Sequence, residues 1–283
     1  MGEVKTTDLK SFNYLENGEV MFSMFDTIKT IKCLEPGVYD VSYIEHPEYR
    51  VSLRHIIEKE STKIYNFAEK NKIDDIVRAF TDPKIKLKLE ELQFLHKVGI
   101  LLYGKEGTGK TTIINYYCNK LIEEVSAIVL RIKYSGYRIS EVIDFVNNVR
   151  SIQDSLIIVV FDEFDEFVKE GKEGLIKTFL DGSSSTNNTI FLAMTNYIER
   201  IPDSIKNRPS RFKYQIEIEG IQSNIEIKSI MMKMIGDILP EETIGKYAVD
   251  LQGQTLDSIK QFCLDKIMDI TTYSESKSKI GFK

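Results

Sequence analysis

A glycine-rich segment, GKEGTGKT at positions 104–111, constrains the fold of this chain more than any other feature. The apolar run VGILLY precedes it and the helix-like run TTIINYYCNKLIEE overlaps its end, so it is predicted to join a buried strand to a helix. Glycines allow tight turns in which backbone N–H groups and a helix N-terminus face phosphate oxygens. The sequence therefore predicts a phosphate-binding loop at this point.

Each residue of the loop has a predicted task. Lys110 is expected to reach the β and γ phosphates, and the Thr111 hydroxyl to hold magnesium. The alternative is a glycine-rich turn that fits the pattern by chance, which the flanking strand and helix disfavour. We predict that the nucleotide is bound by Gly104, Lys105, Glu106, Gly107, Thr108, Gly109, Lys110, Thr111 and Thr112.

An acidic pair ends a second apolar run, LIIVVFDE, at Asp162 and Glu163. Burying a strand that ends in two carboxylates is costly without a cation, so we assign Asp162 to magnesium and Glu163 to the general base that orients an attacking water. The alternative is an acidic surface turn. The carboxylates that follow, Asp165 and Glu166, are interpreted as helix N-cap or subunit-contact residues.

Two further polar elements follow in the chain. The apolar strand TIFLAMT ends at Asn196, whose amide could hold the attacking water, although such an Asn is most often a turn former. In NRPSRF, Arg208 and Arg211 could supply a guanidinium to a γ-phosphate in trans, which stabilises transition-state charge. Taken alone, the two arginines would be ordinary solvated surface residues.

The pattern along the chain predicts three parts. Apolar strands alternate with amphipathic segments after residue 98, which predicts an α/β three-layer sandwich around a parallel five-stranded sheet within a large domain at 61–220. Short β-rich runs predict a small N-terminal appendage at 1–60, for binding a client or partner. A helical lid with a polar tail is predicted at 221–283.

Composition excludes several classes. With a net charge of −5 and mixed charges, the chain lacks an obvious basic face for nucleic acid, although a ring could enclose a basic channel. Few histidines and three dispersed cysteines, Cys33, Cys118 and Cys263, argue against disulfides and a dedicated metal centre. Without a signal-peptide core or an apolar run of membrane-span length, the protein is expected to be cytoplasmic.

Taken in order, GKEGTGKTT, IIVVFDEFD, KTFLDG, FLAMTN and RPSRF resemble the motifs of the AAA family in the narrow sense, over roughly residues 95–270. The resemblance implies the P-loop NTPase fold, ATP and Mg²⁺ as cofactors, and hydrolysis to ADP and phosphate. It makes 104–112 the Walker A loop, Asp162 and Glu163 the Walker B pair, and Asn196 sensor 1. Arg208 and Arg211 become arginine fingers, which implies a homo-oligomeric ring, commonly a hexamer in that family.

The chain departs from the family pattern at three places. Lys105 and Glu106 stand where the family usually has two prolines, and Asp257 stands where related branches carry a sensor 2 arginine. Upstream, KIDDIVRAF is only weakly similar to the adenine-contacting segment, which makes Ile76 and Val77 the candidates for adenine contact.

One loop contains an aromatic residue, Tyr134, that could contact the substrate of the ring. Tyr134 and Gly136 resemble the pore loop that grips polypeptide in protein-threading relatives, but a half-buried loop aromatic is an equally good interpretation. The motifs RPSRF and FLDG resemble those of remodelling members of the family more than those of DNA-loading members, so we expect a chaperone-like remodeller or translocator of a protein client. The alternatives are a nucleic-acid-linked switch of the clamp-loader or helicase-loader kind, and a scaffold that ATP locks into a ring.

Overall fold

The computed structural model divides the chain into two compact units, Met1–Leu34 and Glu35–Lys283. The residues that it describes are 11–14, 20–23, 32–44, 50–56, 69–132, 139–169, 173–182 and 187–280. In the first unit, strands β1 (Ser11–Tyr14) and β2 (Val20–Ser23) pair antiparallel.

A seven-stranded sheet with the order β4-β3-β6-β7-β8-β5-β9 forms the centre of the second unit. Its strands are β3 (Gly37–Ile44), β4 (Arg50–Ile56), β5 (Lys97–Tyr103), β6 (Ile128–Ile132), β7 (Ile157–Phe161), β8 (Thr189–Thr195) and β9 (Tyr214–Glu217). The strands from β6 to β9 in that order are parallel, and they are the five that the sequence predicted. The predicted α/β fold is confirmed.

Burial explains why these strands are continuous apolar runs. Every residue of β7 and β8 is buried, because helices cover both faces of the sheet and leave no position that faces water. The strands β5, β7 and β8 are neighbours or next neighbours in the sheet, and parallel strands end at the same edge. The residues that follow them are therefore brought together at one edge, where open α/β sheets bind ligands.

The first two strands of this unit differ from the prediction. We placed β3 and β4 in a separate appendage at 1–60, but β3 pairs parallel with β6 and β4 pairs antiparallel with β3. The free edge of β6 offers unpaired backbone groups, and β3 satisfies them while burying Val38 and Val41. The five-stranded sheet thus becomes seven-stranded, and the compact unit begins at Glu35 instead of near residue 60.

Helices complete the three layers. They are α1 (Lys70–Thr81), α2 (Pro83–Glu91), α3 (Lys110–Val125), α4 (Ile139–Ile152), α5 (Phe164–Phe167), α6 (Glu173–Asp181) and α7 (Asp203–Lys206). The buried apolar residues of α1 and α3 form one core cluster with Ile158 and Val160 of β7. In a second, aromatic cluster, the Phe161 ring lies 5.5 Å from that of Phe164 and 6.4 Å from that of Phe179. Successive side chains of β7 thus point to opposite faces of the sheet and contribute to the packing on both.

The break between α1 and α2 follows directly from the sequence. Proline at 83 has no N–H to continue a helix but is well suited to the first turn of a new one. Asp82 adopts an extended conformation and accepts a hydrogen bond from the Lys84 N–H at 2.8 Å. This cap fixes where α1 ends and α2 begins.

Where the sequence predicted a helical lid, the chain forms α8 (Asn224–Ile235), α9 (Glu241–Asp250) and α10 (Leu256–Ile280) around their own apolar core. The predicted polar tail is helical as far as the end of α10. Where the chain enters the lid, the Ile221 N–H donates to the Gln254 carbonyl at 2.9 Å, and the Gly253 N–H donates to the Ile221 carbonyl at 2.8 Å. None of the helices among the described residues is long and apolar enough to cross a membrane.

Candidate functional site: a phosphate loop, an acidic pair and a lid

The glycine-rich segment forms the predicted turn between β5 and α3. Gly104, Gly107 and Gly109 have φ angles of 145°, 76° and 98°, a region that residues with a Cβ rarely adopt. A Cβ on Gly104 would also lie 2.2 Å from the Ile218 carbonyl oxygen, which follows β9. Both the backbone conformation and the close approach therefore require glycine at 104.

Lys110 is the first residue of α3, and its side chain folds back over the loop. Its Nζ donates to the carbonyl oxygens of Gly104 and Lys105, each at 2.8 Å. Burial lowers the pKa of Lys110, while the nearby carboxylates of Glu106 and Asp162 oppose that shift. The loop thus holds a buried ammonium group beside the α3 N-terminus, as phosphate binding requires.

A pocket of about 300 Å³ opens at this end of the sheet. It is lined by Glu106, Gly107, Gly109, Lys110, Thr111, Thr112, Asp162, Glu163, Met194, Thr195, Asn196 and Asp257. It unites most of the predicted loop with both acidic residues and with Asn196. Gly104, Lys105 and Thr108 belong to the loop but do not line the pocket, and the Thr108 hydroxyl donates to the Lys105 carbonyl at 2.9 Å.

The acidic pair stands at the end of the fully buried strand β7, and both side chains are exposed to the pocket. Glu163 has φ 50° and ψ 53°, and it occupies the N-cap position of α5 without a side-chain capping bond. A left-handed conformation at a residue other than glycine is costly, and such strain concentrates at functional sites. In this conformation the Glu163 carboxylate lines the pocket and makes no capping bond to α5.

A buried hydrogen-bond network that the sequence did not reveal supports the acidic pair. Asp165, which we interpreted as an N-cap or subunit-contact residue, is only 3% exposed. It accepts a hydrogen bond from the Thr195 hydroxyl at 2.7 Å and forms an ion pair with Arg200 at 3.3 Å. Thr195 also accepts from the Tyr197 N–H at 3.0 Å. This network ties the end of β7 to the end of β8, where Asn196 stands exposed.

The two candidate arginines differ in exposure. Arg211 is 5% exposed; its Nε and Nη2 donate to the two carboxylate oxygens of Asp181 at 2.9 and 2.6 Å, and its Nη1 donates to the Ser204 carbonyl. Arg208 has a 58% exposed side chain and shares Asp181 through one bond of 3.0 Å. Only Arg208 of the two extends into solvent, so Arg211 is bound within its own chain.

Lys97 lies close to Asp181 and to the two arginines that bind it. Its Nζ donates to the carbonyl oxygens of Leu180 and Asp181, at the C-terminus of α6. Burial lowers the pKa of Lys97 to about 8, Asp181 opposes this shift, and Arg208 and Arg211 add to it. The Arg211 hydrogen bonds in turn hold the pKa of Asp181 below its usual range.

The adenine-contact and pore-loop predictions have different outcomes. Ile76 and Val77, the candidates for adenine contact, are buried in the core cluster and do not line the pocket. Their spacing from the other apolar residues of α1 places them on the buried face of that helix. Tyr134 and Gly136 of the predicted pore loop lie outside the described residues.

The lid closes the pocket from the other side. The Asp257 N–H donates to the Gly107 carbonyl at 3.1 Å, and Asp257 lines the pocket. A phosphate loop after β5, two carboxylates after β7, which is separated from β5 by β8, and a helical lid together define a P-loop nucleotide-binding protein.

Comparison with known proteins agrees with this class. Residues 100–220 match the family model described as "ATPase family associated with various cellular activities (AAA)". The vesicular-fusion protein SEC18 of Saccharomyces cerevisiae is 30% identical over 184 residues, covering 57% of this chain and 23% of that protein. The cell division cycle protein 48 homolog of Archaeoglobus fulgidus is 27% identical over 177 residues, covering 55% of this chain and 24% of that protein. Replication factor C subunit 4 of Caenorhabditis elegans is 22% identical over 215 residues, covering 64% of this chain and 62% of that protein.

The match of residues 100–220 to the AAA ATPase family model confirms the resemblance drawn from the motifs. The match begins within β5, before the glycine-rich loop, and ends after β9, so it contains the loop, the acidic pair and both arginines. The aligned part covers about a quarter of the vesicular-fusion and cell-division relatives.

Proposed function

We propose that this chain hydrolyses ATP to ADP and phosphate in the pocket at the carboxyl edge of the sheet. The observation that carries the proposal is the meeting of Lys110, Asp162, Glu163 and Asn196 in that one pocket. These residues come from three different parts of the chain, and only the order of strands β5, β7 and β8 brings them together. Folding alone does not require two exposed carboxylates beside a buried lysine.

Each residue has a chemical task in this proposal. Lys110 and the loop N–H groups bind the β and γ phosphates. Thr111 and Asp162, an oxygen donor pair of the kind that Mg²⁺ prefers, hold the ion. When bound, Mg²⁺ neutralises charge that develops on the phosphates. Glu163 accepts a proton from the attacking water, and the Asn196 amide orients that water.

The site is completed by a second copy of the chain. We infer that Arg208 is the residue that reaches the γ-phosphate of a neighbouring subunit, because its guanidinium is mostly exposed. Arg211 positions it through their shared partner, Asp181. A head-to-tail contact whose rotation closes generates a ring, and we propose such a homo-oligomeric assembly here, with a hexamer as the family's common form.

The work coupled to hydrolysis is proposed to be remodelling of a protein client. The support is the similarity to the vesicular-fusion and cell-division relatives, together with the net charge of −5. The second candidate is a nucleic-acid-linked switch, which the similarity to a replication factor C subunit over 62% of its length favours. The role of residues 1–60 in binding a client or partner stays a prediction, as does the contact of Tyr134 with a polypeptide.

Glu163→Gln tests the proposal. It should bind ATP without hydrolysing it, so that clients remain attached and can be identified by mass spectrometry. The matched control is Glu166→Gln, which removes a carboxylate that pairs with Lys169 on the next turn and lies outside the pocket. Full turnover in Glu163→Gln contradicts the assignment of the base. ATPase stimulation by DNA that falls steeply with salt would favour the second candidate, and unchanged cellular function in Glu163→Gln would favour a scaffold.

A further inference from the structure

The first turn of α10 is packed directly against the phosphate loop. The Asp257 N–H donates to the Gly107 carbonyl, and a Cβ added to Gly107 would lie 3.1 Å from Asp257 Cβ and 3.2 Å from its Oδ2. A Cβ on Gly109 would lie 3.3 Å from Leu256 Cδ2. The lid thus places a carboxylate within contact distance of the turn that faces the phosphates.

The charges that line the pocket are unbalanced. Lys110 is its one basic lining residue among the described part of the chain, against the carboxylates of Glu106, Asp162, Glu163 and Asp257. Asp162 and Glu163 have tasks in hydrolysis, and Glu106 lies close enough to raise the pKa of Lys110. Across the ranges that the structure describes, the Asp257 carboxylate has no hydrogen bond or ion pair, and its residue is exposed.

An unpaired carboxylate beside a polyphosphate opposes its binding. Two unit charges about 8 Å apart, at an effective dielectric constant of about 40, repel each other enough to change an affinity roughly fivefold. The repulsion grows with the negative charge of the nucleotide, so ATP is affected more than ADP. Because the carboxylate belongs to the lid, the same repulsion acts on the contact between the lid and the loop.

We propose that Asp257 sets the nucleotide affinity of the site by repelling the phosphates, more strongly in ATP than in ADP. The inference rests on the proposed nucleotide site. Its consequence is that binding of the more highly charged nucleotide weakens the contact between α10 and the loop, the opposite of what a cationic side chain at this position would do. Asp257 is thus a specificity-determining residue that discriminates between nucleotides by charge.

The test uses the full chain with Glu163→Gln, so that ATP persists during the measurement. Titration calorimetry with Mg²⁺ compares ATP and ADP on this protein, on the same protein with Asp257→Asn, and on it with Asp257→Ser. Both neutral variants should bind ATP roughly fivefold more tightly, with a smaller gain for ADP. The gain should shrink in concentrated salt, because partly exposed charges are screened. The control is Asp250→Asn, an exposed lid carboxylate at the end of α9 and outside the pocket, which should change neither affinity.

The outcomes separate the two proposals. If the parent Glu163→Gln protein binds no nucleotide, the proposed function fails and the inference fails with it. If the parent binds ATP but the neutral variants bind ATP and ADP with unchanged affinity, or more weakly, only the role of Asp257 is overturned. Equal gains for ATP and ADP overturn the discrimination by charge. Thermal unfolding of each variant shows that any change in affinity occurs in a folded protein.

Discussion

Replacing Asp181 by Asn should destabilise the protein and slow ATP turnover together. The carboxylate accepts four bonds: Oδ1 from Ser210 at 3.1 Å and Arg211 Nε at 2.9 Å, and Oδ2 from Arg208 at 3.0 Å and Arg211 Nη2 at 2.6 Å. Asn keeps one acceptor oxygen and presents an N–H₂ group to the cationic Arg211. Arg211 is 5% exposed, so it cannot turn to water for a replacement.

The size of the effect follows from the burial of the two partners. Removing one partner of a buried ion pair costs about 3–5 kcal/mol. Here the Asp181 side chain is 30% exposed, and Arg211 keeps its bond to the Ser204 carbonyl, so we expect about 2 kcal/mol at neutral pH. In a domain of this size that corresponds to a fall in Tm of about 4–8 °C.

The pH dependence gives an independent check. Arg211 holds the pKa of Asp181 below its usual range, so the stabilisation is fully present above the unfolded pKa of about 3.9 and is lost as the pH falls through the lower folded value. The stability difference between wild type and Asp181→Asn should therefore narrow in acid, below about pH 4. Urea denaturation at a series of pH values measures it.

Turnover is the second half of the test. Without Asp181, Arg208 loses its one side-chain partner among the described residues and no longer lies in a fixed position. ATPase activity should fall below that of the control, Asp203→Asn, whose 81% exposed carboxylate pairs with Lys206 and should contribute less than about 0.5 kcal/mol. If Asp181→Asn matched wild type in both stability and turnover, the linkage between the arginines and this carboxylate would be refuted.

Three further results are expected. Lys110→Ala should abolish ATPase activity, and mixing it with Arg208→Ala should restore up to roughly a quarter of wild-type turnover, because mixed rings contain interfaces with both residues intact; no recovery in verified mixed rings would contradict a shared site. Thr195→Val should leave Asp165 short of a buried donor and cost about 1–3 kcal/mol in urea denaturation, whereas an unchanged midpoint would show that the bond contributes little. Burial lowers the pKa of Lys97 to about 8, so as the pH rises the folded protein loses this proton before the unfolded chain does. The free energy of unfolding of wild type should therefore rise relative to that of Lys97→Met between about pH 8 and pH 10. A constant difference across that range would show that burial does not destabilise the charged lysine.

The phosphate loop and the acidic pair were predictable because their signal is local. The glycine spacing, the strand before it and the helix after it lie within one short segment, and the structure has the expected turn there. The meeting of the loop with Asp162 and Asn196 was also predictable, since parallel strands end at one edge of the sheet.

The place of β3 and β4 was not predictable in this way. Their alternation correctly indicates strands, and β4 pairs with its chain neighbour β3. The parallel pairing of β3 with β6 joins segments about 90 residues apart, for example Val38 with Val129. Nothing in the local pattern of either strand specifies that partner, because the edge of β6 is defined only once the sheet has formed.

The arginines and Asp165 show the same limit for side chains. The motif RPSRF places Arg208 and Arg211 close together but does not reveal that Asp181, which ends α6, binds Arg211 from 30 residues away. Likewise, the acidic run DEFD does not distinguish Asp162, which faces the pocket, from the buried Asp165. Their orientation depends on how α5 leaves the strand, which the left-handed Glu163 decides.

The paired backbone bonds at Ile221 give the lid a mechanical property. Its incoming and outgoing segments are held side by side there, with Gly220 so close to Gly253 that a Cβ would lie 2.2 Å from the Gly253 oxygen. The three helices beyond this point share one apolar core, so they resist bending against each other. We therefore expect the three helices to move as one body about these bonds, and the first turn of α10, which contacts the phosphate loop, to move with them.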